Sequence, residues 1–253
     1  MLFSILSGGD IKDIIINLLL SLPIIILALI VHETAHGYVA WKCGDPTAYN
    51  LGRLTLNPIK HLDPFGFLCM LIFGYGWAKP VPINTRNFRN PKRGMALSAA
   101  AGPLANLLLG AISAALSGLL YSCHLHFILE DTPLFILNFF WYGAQLFELN
   151  AIVNLLLMAF NLIPVPPFDG SRIALIFLPT RIYFKVMQYE QQIMFGVLIA
   201  FFLLNRIGYS PFSMLSDFMT YELQSLSFDL FGKMFNNPEF SLSGYLELFY
   251  RIL

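Results

Sequence analysis

The chain has 253 residues, 57% of them hydrophobic and only 12% charged, a makeup too apolar for an ordinary soluble domain and typical of an integral membrane protein. Lys plus Arg and Asp plus Glu balance at 15 each, so no basic excess points to nucleic acid, and none is expected as a partner. Cys43, Cys69 and Cys123 form no CxxC pair, so neither a thiolate zinc site nor a disulfide framework is indicated and they read as three small apolar residues.

In chain order, the first segment places Asp10, Lys12 and Asp13 before a long apolar run with no small-residue cleavage site after it, so it is expected to stay in the mature protein. A spanning helix needs about 20 predominantly apolar residues. Four stretches qualify, near 13–38, 95–121, 134–159 and 190–208. The predicted fold is an all-α polytopic membrane protein with about four to six transmembrane helices. Residues 51–83 lie between the first two spans. Their apolar part from Phe65 to Trp77 is too short to cross and is bracketed by Pro58, Pro64, Pro80 and Pro82, which predicts a re-entrant or β-hairpin segment. The stretch 212–253 mixes aromatic and acidic residues as an interfacial tail would. No linker or repeat marks a second domain, so 1–253 is read as one membrane-embedded domain.

Orientation follows from the Lys and Arg residues, which concentrate in short cytoplasmic loops. Lys42, Arg53, Lys60, Lys79, Arg86, Arg89, Lys92 and Arg93 fall between the first two spans, and Arg172, Arg181 and Lys185 between the third and fourth. The loop near 122–133 has none. Both termini are therefore expected outside.

The first span ends in "HETAH", residues 32 to 36. Residues four apart share one helix face, so His32 and His36 can address one ion while Glu33 projects beside them. Neutral imidazoles suit zinc, the ion acidifies a water, and a neighbouring carboxylate can accept its proton and pass it to a leaving amine. Ionisable groups are costly near hydrocarbon, and three of them within five residues call for a shared purpose. The bland alternative is a solvated interfacial patch. Catalytic zinc usually has three protein ligands. The best third candidate is Asp169 in "FNLIPVPPFDGSR", where three prolines stop the preceding helix and Asp-Gly forms a turn on the same side of the membrane. Its plain alternative is a turn or cap residue. His61 lies on the correct side and could approach the metal or the substrate. His124 and His126, a full span away, are expected to be solvated.

"HETAH", "GRLTLNPIKHLDPFG", "WAKPVPIN", "AAAGPLANL" and "NLIPVPPFDG" occur in this order over residues 31 to about 175, and with them the chain resembles the site-2 proteases, intramembrane zinc metalloproteases of polytopic fold. The resemblance implies that His32, His36 and Asp169 bind Zn2+, that Glu33 is the general base, and that the substrate is a transmembrane segment of another protein, cleaved in regulated intramembrane proteolysis. It also implies a role for Asn161 near the metal, holding substrate or transition state; a helix cap is the other reading. Asn106, beside the small residues Gly102 and Ala105, is a candidate for substrate contact or for helix packing. Many members carry a PDZ or CBS domain; this chain has room for neither and resembles the compact branch. The expected location is a bacterial inner membrane with the active site toward the cytoplasm, and a homo-oligomer is compatible with the sequence. Two rival classes, a non-catalytic scaffold that binds membrane segments and a metal or proton carrier, leave the complete set His32, Glu33, His36 and Asp169 without a purpose.

Overall fold

The computed structural model describes residues 11–73, 76–128, 132–174, 176–177 and 179–208, with positions 214, 215, 218, 222 and 225 beyond them. Among these residues the structure is helical and contains no strand, only an isolated antiparallel bridge between Leu62 and Ala78. The helices are α1 (Ile11–Lys42), α2 (Thr47–Asn50), α3 (Pro58–His61), α4 (Pro64–Phe73), α5 (Pro91–Ile128), α6 (Leu134–Asn161), α7 (Asp169–Ala174), α8 (Thr180–Met187) and α9 (Glu190–Arg206).

Three of them, within Leu18–Lys42, Pro91–Phe127 and Leu134–Asn161, are long and apolar enough to cross a membrane. Large apolar side chains stay exposed along them, among them Leu19, Leu108 and Phe139 at 66%, 65% and 69% exposure, as helices solvated by lipid rather than water require. The fourth expected span corresponds to α9, whose 17 residues fall short of the usual crossing length. The proposed interfacial tail at 212–253 lies almost entirely outside the described residues.

In place of the β-hairpin expected over 51–83, the chain forms α3 and α4. The local reason is capping. Asn57 accepts a hydrogen bond from Ile59 N–H ahead of Pro58, and Asp63 accepts one from Gly66 N–H ahead of Pro64, so each proline sits at a helix start, where its missing N–H costs nothing. The segment does double back: Lys79 N–H donates to His61 O at 2.8 Å across the Leu62–Ala78 bridge. The return stretch is tied down by Asp45, fully buried, which accepts from Thr47 N–H and Oγ1, Asn84 N–H and Asn87 Nδ2. Burial pushes the Asp45 carboxyl up, but the hydrogen bonds from Thr47, Asn87 and Asn84 outweigh it and hold the group ionised, below the usual carboxylate range.

Two compact units emerge, one of residues 1–107 with 157–209 and one of 108–156 with 210–253. The first contains every residue of the site described next. In the second, α5 and α6 share buried polar contacts: Asn150 Nδ2 to Ser113 Oγ at 2.7 Å, Ser117 Oγ to Ala144 O at 2.9 Å and Tyr121 OH to Glu148 Oε2 at 2.7 Å. His124 is half-buried and bonded to Leu137 O, contrary to the expectation that it is solvated, whereas His126 is exposed. The three cysteines are free.

Candidate metal centre

Helix α1 presents two chemically different faces. Positions 28, 32, 36 and 40 form one stripe at helical spacing, and Ala28, His32, His36 and Ala40 are all buried. Positions 26, 30, 33 and 37 form another, turned toward the segment between α1 and α5. There Glu33 Oε2 accepts a hydrogen bond from Val81 N–H at 2.8 Å, and Gly37 closely approaches Leu54 and Val81.

On the first stripe the two imidazoles stand edge to face, 4.5 Å between ring centres. Asp169, 9% exposed at the first turn of α7, brings its Oδ2 to 3.1 Å from His32 Nε2 and 3.0 Å from His36 Nε2. These separations lie a little under the edge of about 3.3–3.6 Å expected for a tetrahedron with bonds near 2.0–2.2 Å. Ligand-type atoms of the three residues all lie within 4.8 Å of one another, a grouping that could hold a metal ion.

The remaining ring nitrogens are committed elsewhere. The Asn106 amide donates through Nδ2 to Ala28 O at 3.3 Å, so its Oδ1, 2.5 Å from His32 Nδ1, is an acceptor and His32 carries its proton on Nδ1. His36 Nδ1–H donates to Ser98 O at 2.7 Å, while Ser98 Oγ returns a bond to His36 O. Both neutral imidazoles therefore aim an Nε2 lone pair at an oxygen that also carries lone pairs. Burial pushes the Asp169 carboxyl up, whereas an Nε2–H donated by His32 or His36, with the charge such a protonated ring carries, pulls it well below the usual carboxylate range. Such a triad needs a positive species at its centre. A proton serves by converting one Nε2 into a donor; a divalent cation makes all three groups ligands.

Gly102 supplies the space. A Cβ there would lie 2.5 Å from His36 Cε1 and Nε2 and 2.6 Å from His32 Cε1, so only glycine lets the α5 backbone close over the rings. At the other wall, a Cβ on Gly170 would meet Leu162 O at 2.3 Å, which fixes the turn that delivers Asp169. Donor chemistry, spacing, fixed tautomers and cradle all fit zinc.

The other expected site residues fall elsewhere. Asn106 is fully buried and engages His32 and Ala28. Asn161 is half-buried and donates to Leu157 O, four residues earlier, closing the end of α6. His61 is 1% exposed and bonds Thr55 O, outside the donor cluster. Sequence reasoning missed two participants, Ser98 O and Val81 N–H. Both are backbone groups, which no side-chain motif reports.

The "Peptidase family M50" model matches residues 20–205. "Putative zinc metalloprotease YwhC" of Bacillus subtilis (strain 168) is 42% identical over 174 residues, 67% of this chain and 75% of that protein. "Putative zinc metalloprotease Rip2" of Mycolicibacterium smegmatis (strain ATCC 700084 / mc(2)155) is 27% identical over 150 residues, 57% of this chain and 52% of its own. Rip2 of Mycobacterium tuberculosis (strain ATCC 25618 / H37Rv) is 28% identical over 151 residues, again 57% and 52%. The chain thus spans about half the length of the two Rip2 proteins. No solved structure matches it.

Proposed function

The chain belongs to peptidase family M50 and is a membrane zinc metalloprotease, and from that premise we propose that it hydrolyses peptide bonds in or near transmembrane segments of membrane-anchored proteins, with His32, His36 and Asp169 holding the zinc and Glu33 as general base. The observation that carries this reading is the convergence of three lone-pair donors within 4.8 Å, the Asp169 oxygen 3.0–3.1 Å from each imidazole Nε2, with both imidazole tautomers set from behind.

Zinc bound by these donors supplies a Lewis acid that acidifies water and polarises a carbonyl. The chain supplies the rest. Glu33 stands next to His32 on α1 but on the adjoining face, and Val81 N–H holds one of its carboxylate oxygens in place. From there it takes a proton from the attacking water and returns it to the departing amine. Asn161 is the proposed donor to the developing oxyanion, using the amide hydrogen not engaged by Leu157 O. An intact helix hides its peptide bonds in its own hydrogen bonds, so the substrate has to unwind. The non-helical stretch around 76–84, which reaches Glu33 through Val81, offers backbone for pairing with an extended strand.

The same proposal includes one membrane-embedded protease domain, α4 as a re-entrant element, an active site toward the cytoplasm of a bacterial inner membrane, and a role in regulated intramembrane proteolysis. Lys and Arg clustering between α1 and α5 supports the orientation. The test uses full-length protein in detergent with single-span peptides. Glu33→Gln is expected to retain about one zinc per chain while cleavage falls by roughly 10²–10⁴. Undiminished cleavage by that variant would overturn the assignment.

A further inference from the structure

Helix α6 buries one face, on which Ala144, Ala151 and Asn154 are all fully enclosed. At about 3.6 residues per turn, Phe135, Asn138, Tyr142, Gln145 and Leu149 fall within about 80° of one another on the opposite side. The first four of these are exposed and Leu149 is half-buried. Their spacing alternates three residues with four, the repeat of a seam between two helices that cross at about 20°.

Two of the five are primary amides. The helix has 28 residues, about 42 Å at 1.5 Å per residue, against a hydrocarbon core of about 30 Å. With the helix centred in that core, Asn138 stands at its edge and Gln145 about 10 Å inside it, whichever end faces the cytoplasm. Neither side chain bonds a described residue. Lipid tails offer no partner, so an exposed amide at that depth is costly unless another helix completes it. Asn150, on the same helix, shows the usual remedy, since its amide donates to Ser113 Oγ within the chain.

We propose that this face of α6 is the contact between two copies of the chain in the bilayer, related by a two-fold axis along the membrane normal, with the two Gln145 amides bonded to each other. Hydrogen-bond complementarity selects the occupant. Such an axis sets each seam residue against its own counterpart at equal depth, and a carboxamide both donates and accepts, so paired glutamines satisfy each other. Asn138 repeats the arrangement seven residues earlier. A different membrane segment would fit only if it carried a polar group at the same depth.

The test uses full-length, zinc-loaded protein labelled at its amino terminus with donor or acceptor fluorophores and reconstituted in phosphatidylcholine vesicles over a range of protein-to-lipid ratios. Energy transfer is expected to saturate at the level of a dimer. Gln145→Leu, a lipid-compatible change on an exposed position, should move the midpoint to a ratio about three- to twentyfold higher, the worth of one hydrogen bond between membrane helices. Gln145→Asn keeps a carboxamide and should recover part of that loss. Asn150→Leu removes an amide already bonded inside the chain and should leave the midpoint where it was. Oxidation of Tyr142→Cys is expected to join position 142 of one copy to position 142 of the other, as read by peptide mapping. Phe140→Cys, at a position whose ring stacks on Phe127 within the chain, should give no such link. Monomers at every ratio, a midpoint indifferent to Gln145→Leu, or cross-linking through position 140 but not 142 would each overturn the interface; in the first case the amide is left for a segment of another protein.

Discussion

Two polar clusters lie in the apolar helices of this protein, and they are wired in opposite ways. Between α5 and α6, donors meet acceptors: Asn150 Nδ2 finds Ser113 Oγ, Ser117 Oγ finds Ala144 O, Tyr121 OH finds Glu148, and Asn154 Nδ2 bonds Asn150 O and Oδ1 at 2.8 and 3.0 Å. Such pairs hold membrane helices together where water is absent. At the end of the first span, acceptors meet acceptors: two Nε2 lone pairs and a carboxylate oxygen face one another, because the Nδ1 protons are spent on Asn106 and Ser98. Burial and polarity are alike in the two regions; the direction of the hydrogen bonds is not. A self-satisfied cluster stabilises the fold, whereas a cluster of facing lone pairs keeps a place for a cation.

The largest effect that can break this contrast is removal of one lone pair. Asp169→Ala deletes the anionic member of the triad and leaves two imidazoles. Structural zinc sites are worth about 10–16 kcal/mol over four ligands, so losing one ligand costs roughly 3 kcal/mol, about two orders of magnitude in affinity. The variant is expected to purify with much less than one zinc per chain and to cleave no peptide, as read by metal analysis and by product formation. Full zinc occupancy in Asp169→Ala would mean that the facing lone pairs do not define the site.

A smaller effect sharpens the contrast from behind the metal. Asn106 reaches the proposed centre through His32, whose tautomer it fixes, and is itself oriented by Ala28 O. Asn106→Leu, close in volume, removes that acceptor and is expected to weaken zinc binding by about 10–100-fold. Asn106→Asp keeps an acceptor for His32 Nδ1–H and should recover most of the affinity. A role confined to packing would predict the reverse, with the apolar variant tolerated and the charged one harmful. Competition with a chromophoric chelator separates the two.

How far the site could be read from the chain depends on the range of each interaction. His32, Glu33 and His36 are legible because one helical turn brings them together, and Asp169 because Pro164, Pro166 and Pro167 end α6 and leave an acidic turn that needs a reason to be buried. The contact of Asn106 with His32 is not legible, since it depends on how closely α5 approaches α1, which Gly102 decides. Val81 N–H and Ser98 O belong to the backbone, so no residue type announces them. For residues 51–83 the short apolar stretch between prolines supports a re-entrant or β-hairpin segment, whereas Asn57-Pro58 and Asp63-Pro64 are each also a cap followed by a first helical residue, and the structure forms α3 and α4 there. The unpaired amide of Gln145 is out of reach in the same way: an unpartnered group is visible only once every neighbour is in place.

The smallest expected effect tests the other side of the contrast. Asn150 is 9% exposed, donates to Ser113 Oγ and receives Asn154 Nδ2, so it is the node of the α5–α6 ladder. Asn150→Leu fills similar space and deletes the node, leaving Ser113 Oγ without its donor. Hydrogen bonds of this kind between membrane helices are worth on average about 0.6 kcal/mol and at most about 1.7. The variant should therefore unfold slightly more easily in denaturing detergent, while binding one zinc per chain and cutting peptides at the wild-type rate. Donor–acceptor pairing makes that tolerance possible, because leucine removes a bond without exposing a set of like lone pairs to one another. If Asn150→Leu instead lost its zinc, the ladder would belong to the metal centre, and opposite wiring would not separate a structural polar cluster from a chemical one.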